Sequence, residues 1–173
     1  MAGVWLACGF TALLPVATFA QDSPDVAARM PYMAPVAQCF ETAGDPAAAQ
    51  ACIGRGAATC MDTDPAQNQT TAGMMFCTLA EAQMWDDHLN VEYRKLRDRA
   101  RRMDAGESQP EYAVRAARLL DAQRAWIAFR DAECALAYAE FGAGSMRVLS
   151  SAGCQLQMTA ERAIALKFMF AEM

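Results

Sequence analysis

Apolar residues recur at steps of three and four along most of the chain, the period of one helix face, and no stretch alternates as a half-buried strand would. The clearest run extends from Met74 to about Met103, where Cys77, Met84, Trp85, Leu89, Tyr93 and Leu96 mark one face. Ser108-Gln109-Pro110-Glu111 reads as a capping box that opens a second long helix, unbroken to Phe141 and ended by Gly142-Ala143-Gly144. Ser145 is placed to cap a last helix, interrupted near Gly153 and continuing to Met173. Shorter signals precede these: a helix from near Pro35 to Gly44, a second opened by Asp45-Pro46 and closed by Ile53-Gly54, and a turn over Ala57 to Met61. Asp62 to Gly73, with Pro65, Asn68 and three threonines, reads as a polar loop. The expected fold is an all-α antiparallel helical bundle of long helices, residues 73–173, with a small disulfide-linked helical subdomain over residues 21–72.

The start of the chain has another character. Val4 to Phe19 is an uncharged apolar run followed by Ala20 and Gln21, which reads as a signal peptide, residues 1–20, although no basic residue follows Met1. A run of about 16 apolar residues is short for a bilayer span, so no membrane segment is expected after cleavage. Export fits the cysteines, because removal of Cys8 leaves an even set of six: Cys39, Cys52, Cys60, Cys77, Cys134 and Cys154. Cys134 and Cys154 lie almost symmetrically about the Gly142–Ser145 turn and should pair across it. The same symmetry pairs Cys39 with Cys52 and Cys60 with Cys77, with the nested alternative of Cys39 to Cys77 and Cys52 to Cys60 left open.

Charge narrows the partners. With 15 Lys and Arg against 20 Asp and Glu the net charge is −5, which argues against a nucleic-acid-binding domain. Residues 1–90 hold nine acids and two bases, net −7, and residues 91–173 hold eleven acids and thirteen bases, net +2. An acidic first half suits encounter with a basic partner. Catalytic chemistry finds no support. Gly142-Ala143-Gly144-Ser145 follows a helix and is not a nucleophile elbow, no phosphate loop is present, and the sole histidine is His88. A metal pair of His88 with Glu92 lacks a second His or a free thiolate, so His88 is expected at the surface and neither metal nor cofactor is expected.

Polar residues interrupt the helical stripes. Gln123 and Arg130 share a face with Leu119, Trp126 and Cys134, while Asp86, Asn90, Tyr93 and Arg97 run beside Trp85, Leu89 and Leu96; Leu156, Thr159, Arg162 and Leu166 form a stripe on the last helix. The series Asp86-x-x-Leu89-Asn90-x-x-Tyr93, then Leu119-x-x-x-Gln123-x-x-Trp126-x-x-x-Arg130-Asp131-x-x-Cys134, then Cys154-x-x-x-x-Thr159-x-x-Arg162 resembles the exported LprI-like lysozyme-inhibitor family over roughly Cys77 to Leu166. The resemblance implies a helical, disulfide-bonded envelope protein, periplasmic or secreted and non-enzymatic, with c-type lysozyme as partner. The alternative is an envelope structural or interaction module that leaves lysozyme alone. The upstream Cys39, Cys52 and Cys60 set this chain apart from the simplest members. Asp86, Asn90, Gln123 and Arg130 are expected to form a buried network that fixes helix register, with Asp86 holding Arg130, and Trp85 and Trp126 to lie in the core. For an inhibitory surface, the tethered loops Thr63–Gly73 and Gly142–Gly153 are the candidates, the second carrying Ser145 and Arg147. The oligomeric state is left open.

Overall fold

The computed structural model describes residues 23–169, all of whose regular structure is helical. The segment read as a signal peptide, and the last four residues, lie outside the described residues. Helix α1 (Pro24–Ala27) and a 3-10 turn (Met30–Met33) lead into α2 (Ala34–Thr42), followed by α3 (Pro46–Gln50), α4 (Arg55–Thr63) and α5 (Pro65–Asn68). Three long helices then run up, down and up: α6 (Thr71–Ala105), α7 (Arg115–Ala139) and α8 (Met146–Phe168). Helices α6 and α8 share the most extensive contact; α7 lies mainly against α8, helices α1, α4 and α5 pack on α6, and α3 packs on α8.

Local chemistry sets the ends of these helices. Asp45 and Asp64 each precede a proline at the first helical position and accept a hydrogen bond from a backbone N–H three residues on, Ala48 and Gln67 respectively. Thr70 caps α6 by accepting from the Gly73 N–H at 3.0 Å. The segment expected as a polar loop therefore holds α5, and α6 begins at Thr71. Two further expectations are corrected. Helix α7 starts at Arg115, because Pro110–Tyr112 forms a 3-10 turn and Ser108 is no cap for α7; the cap comes from α6, where Asp104 accepts from the Arg115 and Ala116 N–H groups at 3.0 and 2.9 Å. Helix α8 runs through Gly153 without a break, and the Ser145 hydroxyl makes no capping bond.

The core is one cluster. Trp85, fully buried, meets the Phe40 ring edge-on at 4.9 Å, which seats α2 on α6. Ala152, Leu156, Ala160, Ala163 and Ile164 supply the α8 side, their small side chains letting α8 approach α6 closely. Disulfides join Cys39 to Cys52, Cys60 to Cys77 and Cys134 to Cys154, with Cα separations of 5.8, 5.7 and 5.4 Å. The first closes the turn between α2 and the end of α3, the second ties α4 to α6, and the third ties α7 to α8. Each contributes roughly 3 kcal/mol in the chain-entropy account of cross-linking.

Candidate functional site

The residues singled out by the sequence divide between two places on the α7–α8 hairpin. The first is the seam where α6, α7 and α8 meet. Asp86 accepts from the Asn90 amide at 2.9 Å and stands 3.6 Å from the Arg130 guanidinium, which also bonds Asp131 through Nε and Nη2 at 3.0 and 2.9 Å. Burial raises the Asp86 carboxyl above the usual carboxylate range, with Arg130 and the Asn90 hydrogen bond opposing the rise. Further along, the buried Gln123 accepts from Arg162 Nε at 3.0 Å, and burial lowers the Arg162 guanidinium from its ordinary value. Between them lies Trp126, whose ring has the Arg130 guanidinium carbon 5.1 Å and that of Arg162 5.8 Å from its centroid.

The expected single buried network is thus two smaller ones. Asn90 is exposed, and Gln123 joins Arg162 on α8 in place of Asp86 or Arg130. Trp126, expected in the core, is half-buried and lines a cleft with Phe129, Met158, Glu161, Arg162 and Ala165. Leu89 and Thr159 are buried as packing residues. Tyr93 lies beside Arg97, whose guanidinium carbon is 5.8 Å from the ring centroid. Both the Tyr93 hydroxyl and Arg162 Nη2 are buried without a hydrogen-bond partner. His88 is half-buried, its ring 5.1 Å from that of Phe40, and burial holds its pKa below the usual histidine value. No group of three or more His, Cys, Asp or Glu among the described residues is arranged to hold a metal ion.

The second place is the hairpin tip. Gly142 takes a left-handed φ of +50°, which turns the chain out of α7, and the disulfide from Cys134 to Cys154 pins the two helices beneath. Ser145 is exposed. Arg147 folds back, its Nη1 3.4 Å from the Gly142 carbonyl and its guanidinium over the Tyr138 ring at 5.2 Å. What protrudes is apolar: Phe141 and Met146 are 44% and 50% exposed. Sequence reasoning passed over both, since they sit at helix ends where periodicity no longer assigns a face.

With this geometry in view, the comparisons are decisive for family. The model of "Lysozyme inhibitor LprI" matches residues 60–166, more than half of the chain. The chain belongs to the LprI lysozyme-inhibitor family. The matched span of this LprI-family protein starts at Cys60 and takes in α6, α7 and most of α8, so all the motif residues above fall inside it and the Cys39–Cys52 bridge falls outside. An uncharacterized protein of Rhizobium meliloti (strain 1021) is 37% identical over 84 residues, 47% of this chain and 60% of that protein. The match therefore spans less than two thirds of that relative. No solved structure matches the chain. No described helix is long and apolar enough to cross a membrane.

Proposed function

We propose that the chain is an exported, non-enzymatic inhibitor of c-type lysozyme, acting in the periplasm or outside the cell. Family membership over residues 60–166 carries the reading. Three disulfides support an oxidising compartment. The inhibitory surface is the tip of the α7–α8 hairpin. An insert into an enzyme cleft loses least entropy when it is held rigid, and the Cys134–Cys154 bridge holds this one at its base. Phe141 and Met146 offer apolar contact, while Arg147, released from the Gly142 carbonyl, meets a carboxylate of the cleft in a charge-assisted bond. The acidic first half of the chain steers a basic lysozyme toward the complex.

A turbidity assay of lysozyme-driven lysis tests this. The oxidised protein should slow lysis, and Ser145→Ala combined with Arg147→Ala should weaken inhibition at least about tenfold, the equivalent of about 1.4 kcal/mol, with helicity and melting temperature intact. Lysis unchanged at a large molar excess of the protein would refute the inhibitor reading and leave the envelope interaction module. Inhibition that survives the double substitution would remove the tip and direct attention to the acidic N-terminal helices.

A further inference from the structure

Helix α7 buries one face and leaves an apolar stripe on another. Leu119, Gln123 and Cys134 face the bundle. Rotated away from them, Ala122, Ala125, Phe129, Ala132, Leu136 and Ala139 recur at alternating steps of three and four, and all six are exposed, Phe129 by 58% and Leu136 by 56%. A stripe with that alternation is the seam by which one helix packs along another. Large apolar groups in a contiguous exposed patch mark a contact surface.

The charges on α7 indicate which helix covers it. Its first half carries Arg115, Arg118 and Arg124 against Asp121, whereas from Phe129 to the C-cap there are Asp131, Glu133 and Glu140 against Arg130. Bases at the start and acids at the end are the reverse of what the helix dipole favours, so the helix gains nothing internally from this order. An antiparallel copy of the same helix would gain from it. Arg118 and Glu140 stand eleven residues either side of Phe129, and Ala122 and Leu136 stand seven either side. A two-fold axis at Phe129 therefore sets Arg118 against Glu140 of the second copy and the small Ala122 against its large Leu136. Arg118 is 78% exposed, and among the described residues its ion pair is with Asp121, also exposed, at 3.5 Å, a pair worth little that yields to a better one. No ion pair engages Glu133 or Glu140 among the described residues. The cleft formed by Trp126, Met158, Glu161 and Arg162 opens beside Phe129 and receives the Phe129 ring of the second copy.

We propose that the protein self-associates through α7, two copies packing antiparallel about a two-fold axis at Phe129. The contact is isologous and closes on itself, so it makes dimers and not fibres. It is independent of the lysozyme reading, which uses the hairpin tip.

Sedimentation velocity or light scattering on the purified, disulfide-bonded full chain tests the proposal. Between about 1 and about 200 µM, the range in which a single helix-pair contact of modest area assembles, the mass should rise toward twice that of the chain. Phe129→Glu and Leu136→Glu should each remain monomeric throughout with unchanged helicity, since both side chains are exposed. Arg118→Glu or Glu140→Arg alone should weaken the dimer at least about tenfold, and the two together should restore it. A chain that stays monomeric at the highest concentration overturns the proposal. So does a dimer indifferent to Phe129→Glu, or a charge reversal that the double variant fails to rescue.

Discussion

Glu81 gives the sharpest test of how the N-terminal helices are held to the bundle. Its carboxylate is fully buried on α6, and it accepts three hydrogen bonds: from the Gly54 and Ala57 N–H groups, both at 2.7 Å, and from Trp85 Nε1 at 3.0 Å. The first two donors belong to the opening turn of α4, whose own N-cap is Gly54 with no side chain to offer. A side chain 24 or more residues distant in sequence thus supplies the missing cap and a negative charge at the positive end of the helix. Glu81→Gln keeps one oxygen, which best remains with Gly54 and Trp85, and turns an amide N–H₂ toward the Ala57 N–H. One charge-assisted bond, about 1.5–3 kcal/mol, is lost, and the other two fall to neutral strength, so the cost is about 3 kcal/mol. For a domain of this size that lowers the melting temperature by about 6–12 °C. Thermal and urea denaturation at neutral pH, followed by circular dichroism without reductant, reads it out. Faster amide exchange at Gly54 and Ala57 should accompany the loss. A change below about 1 kcal/mol would refute the assignment of Glu81 as the cap of α4.

Gly73→Ala should cost about 2–4 kcal/mol in urea denaturation, since its Cβ would lie 2.2 Å from the Gln67 carbonyl oxygen and 2.6 Å from Asn68 Cα, which are backbone atoms of the preceding turn. Arg130→Ala should lower thermal stability by about 1–2 kcal/mol through loss of the Asp86 and Asp131 contacts and of stacking on Trp126. His88 is held below its ordinary pKa, chiefly by burial against the opposing pull of Glu41, Asp87 and Glu92, so the native chain binds fewer protons there than the unfolded one. Its contribution to stability is present above the unfolded value near about 6.5 and is lost as pH falls from there through the lower native value. Melting temperatures between about pH 7.5 and 5.5 should therefore fall less for His88→Gln than for the parent chain. Asp104, held below the usual carboxylate range chiefly by its hydrogen bond from the Ala116 N–H, acts in the same sense at lower pH: its contribution is present above the unfolded carboxyl value and is lost on acidification. Asp104→Ala should destabilise at neutral pH, and the difference should close as pH falls through the native carboxyl value, as measured by the same melts.

What the chain discloses in its own order is what short-range physics decides. The long helices follow from apolar residues at steps of three and four, and Gly142 marks the turn between α7 and α8 because it takes a positive φ. Some local signals were present and passed over: Asp64-Pro65 opens α5 by the same chemistry as Asp45-Pro46 opens α3, inside a segment whose composition reads as loop. Other features are decided at a distance. The Ser108–Glu111 box loses to Asp104, which reaches across the turn to cap α7. Gly153, a helix weakener by propensity, sits in open space between residues of α8 that pack on the core, so tertiary contact carries the helix through it. Lys167 caps the end of α2 by donating to the carbonyls of Phe40, Glu41 and Ala43 from more than 120 residues away. A helical wheel places Gln123 and Arg130 on one face, but it does not say that α8 will claim the first and α6 the second.

The tip and the α7 stripe lie on one hairpin, and their separation along it has a consequence for how inhibition and association combine. Gly142 is thirteen residues beyond Phe129, which at 1.5 Å per residue puts the tip about 20 Å from the proposed two-fold axis. In an antiparallel pair the two tips then lie at opposite ends, about 40 Å apart, and each sits against the start of α7 of the other copy, Gly142 opposite Ala116, just beyond the Glu140–Arg118 pair. A lysozyme cleft that took in the proposed inhibitory tip would therefore meet the second copy, so the single chain should be the inhibitor and dimer formation should weaken inhibition per chain. Phe129→Glu should abolish the dimer and leave inhibition per chain undiminished in the turbidity assay, and stronger than the parent's at concentrations where the parent dimerises, while Ser145→Ala with Arg147→Ala should weaken inhibition and leave the dimer intact. Were Phe129→Glu to abolish inhibition as well, the cleft beside Trp126 would belong to the inhibitory surface, and the tip would not suffice as the seat of activity.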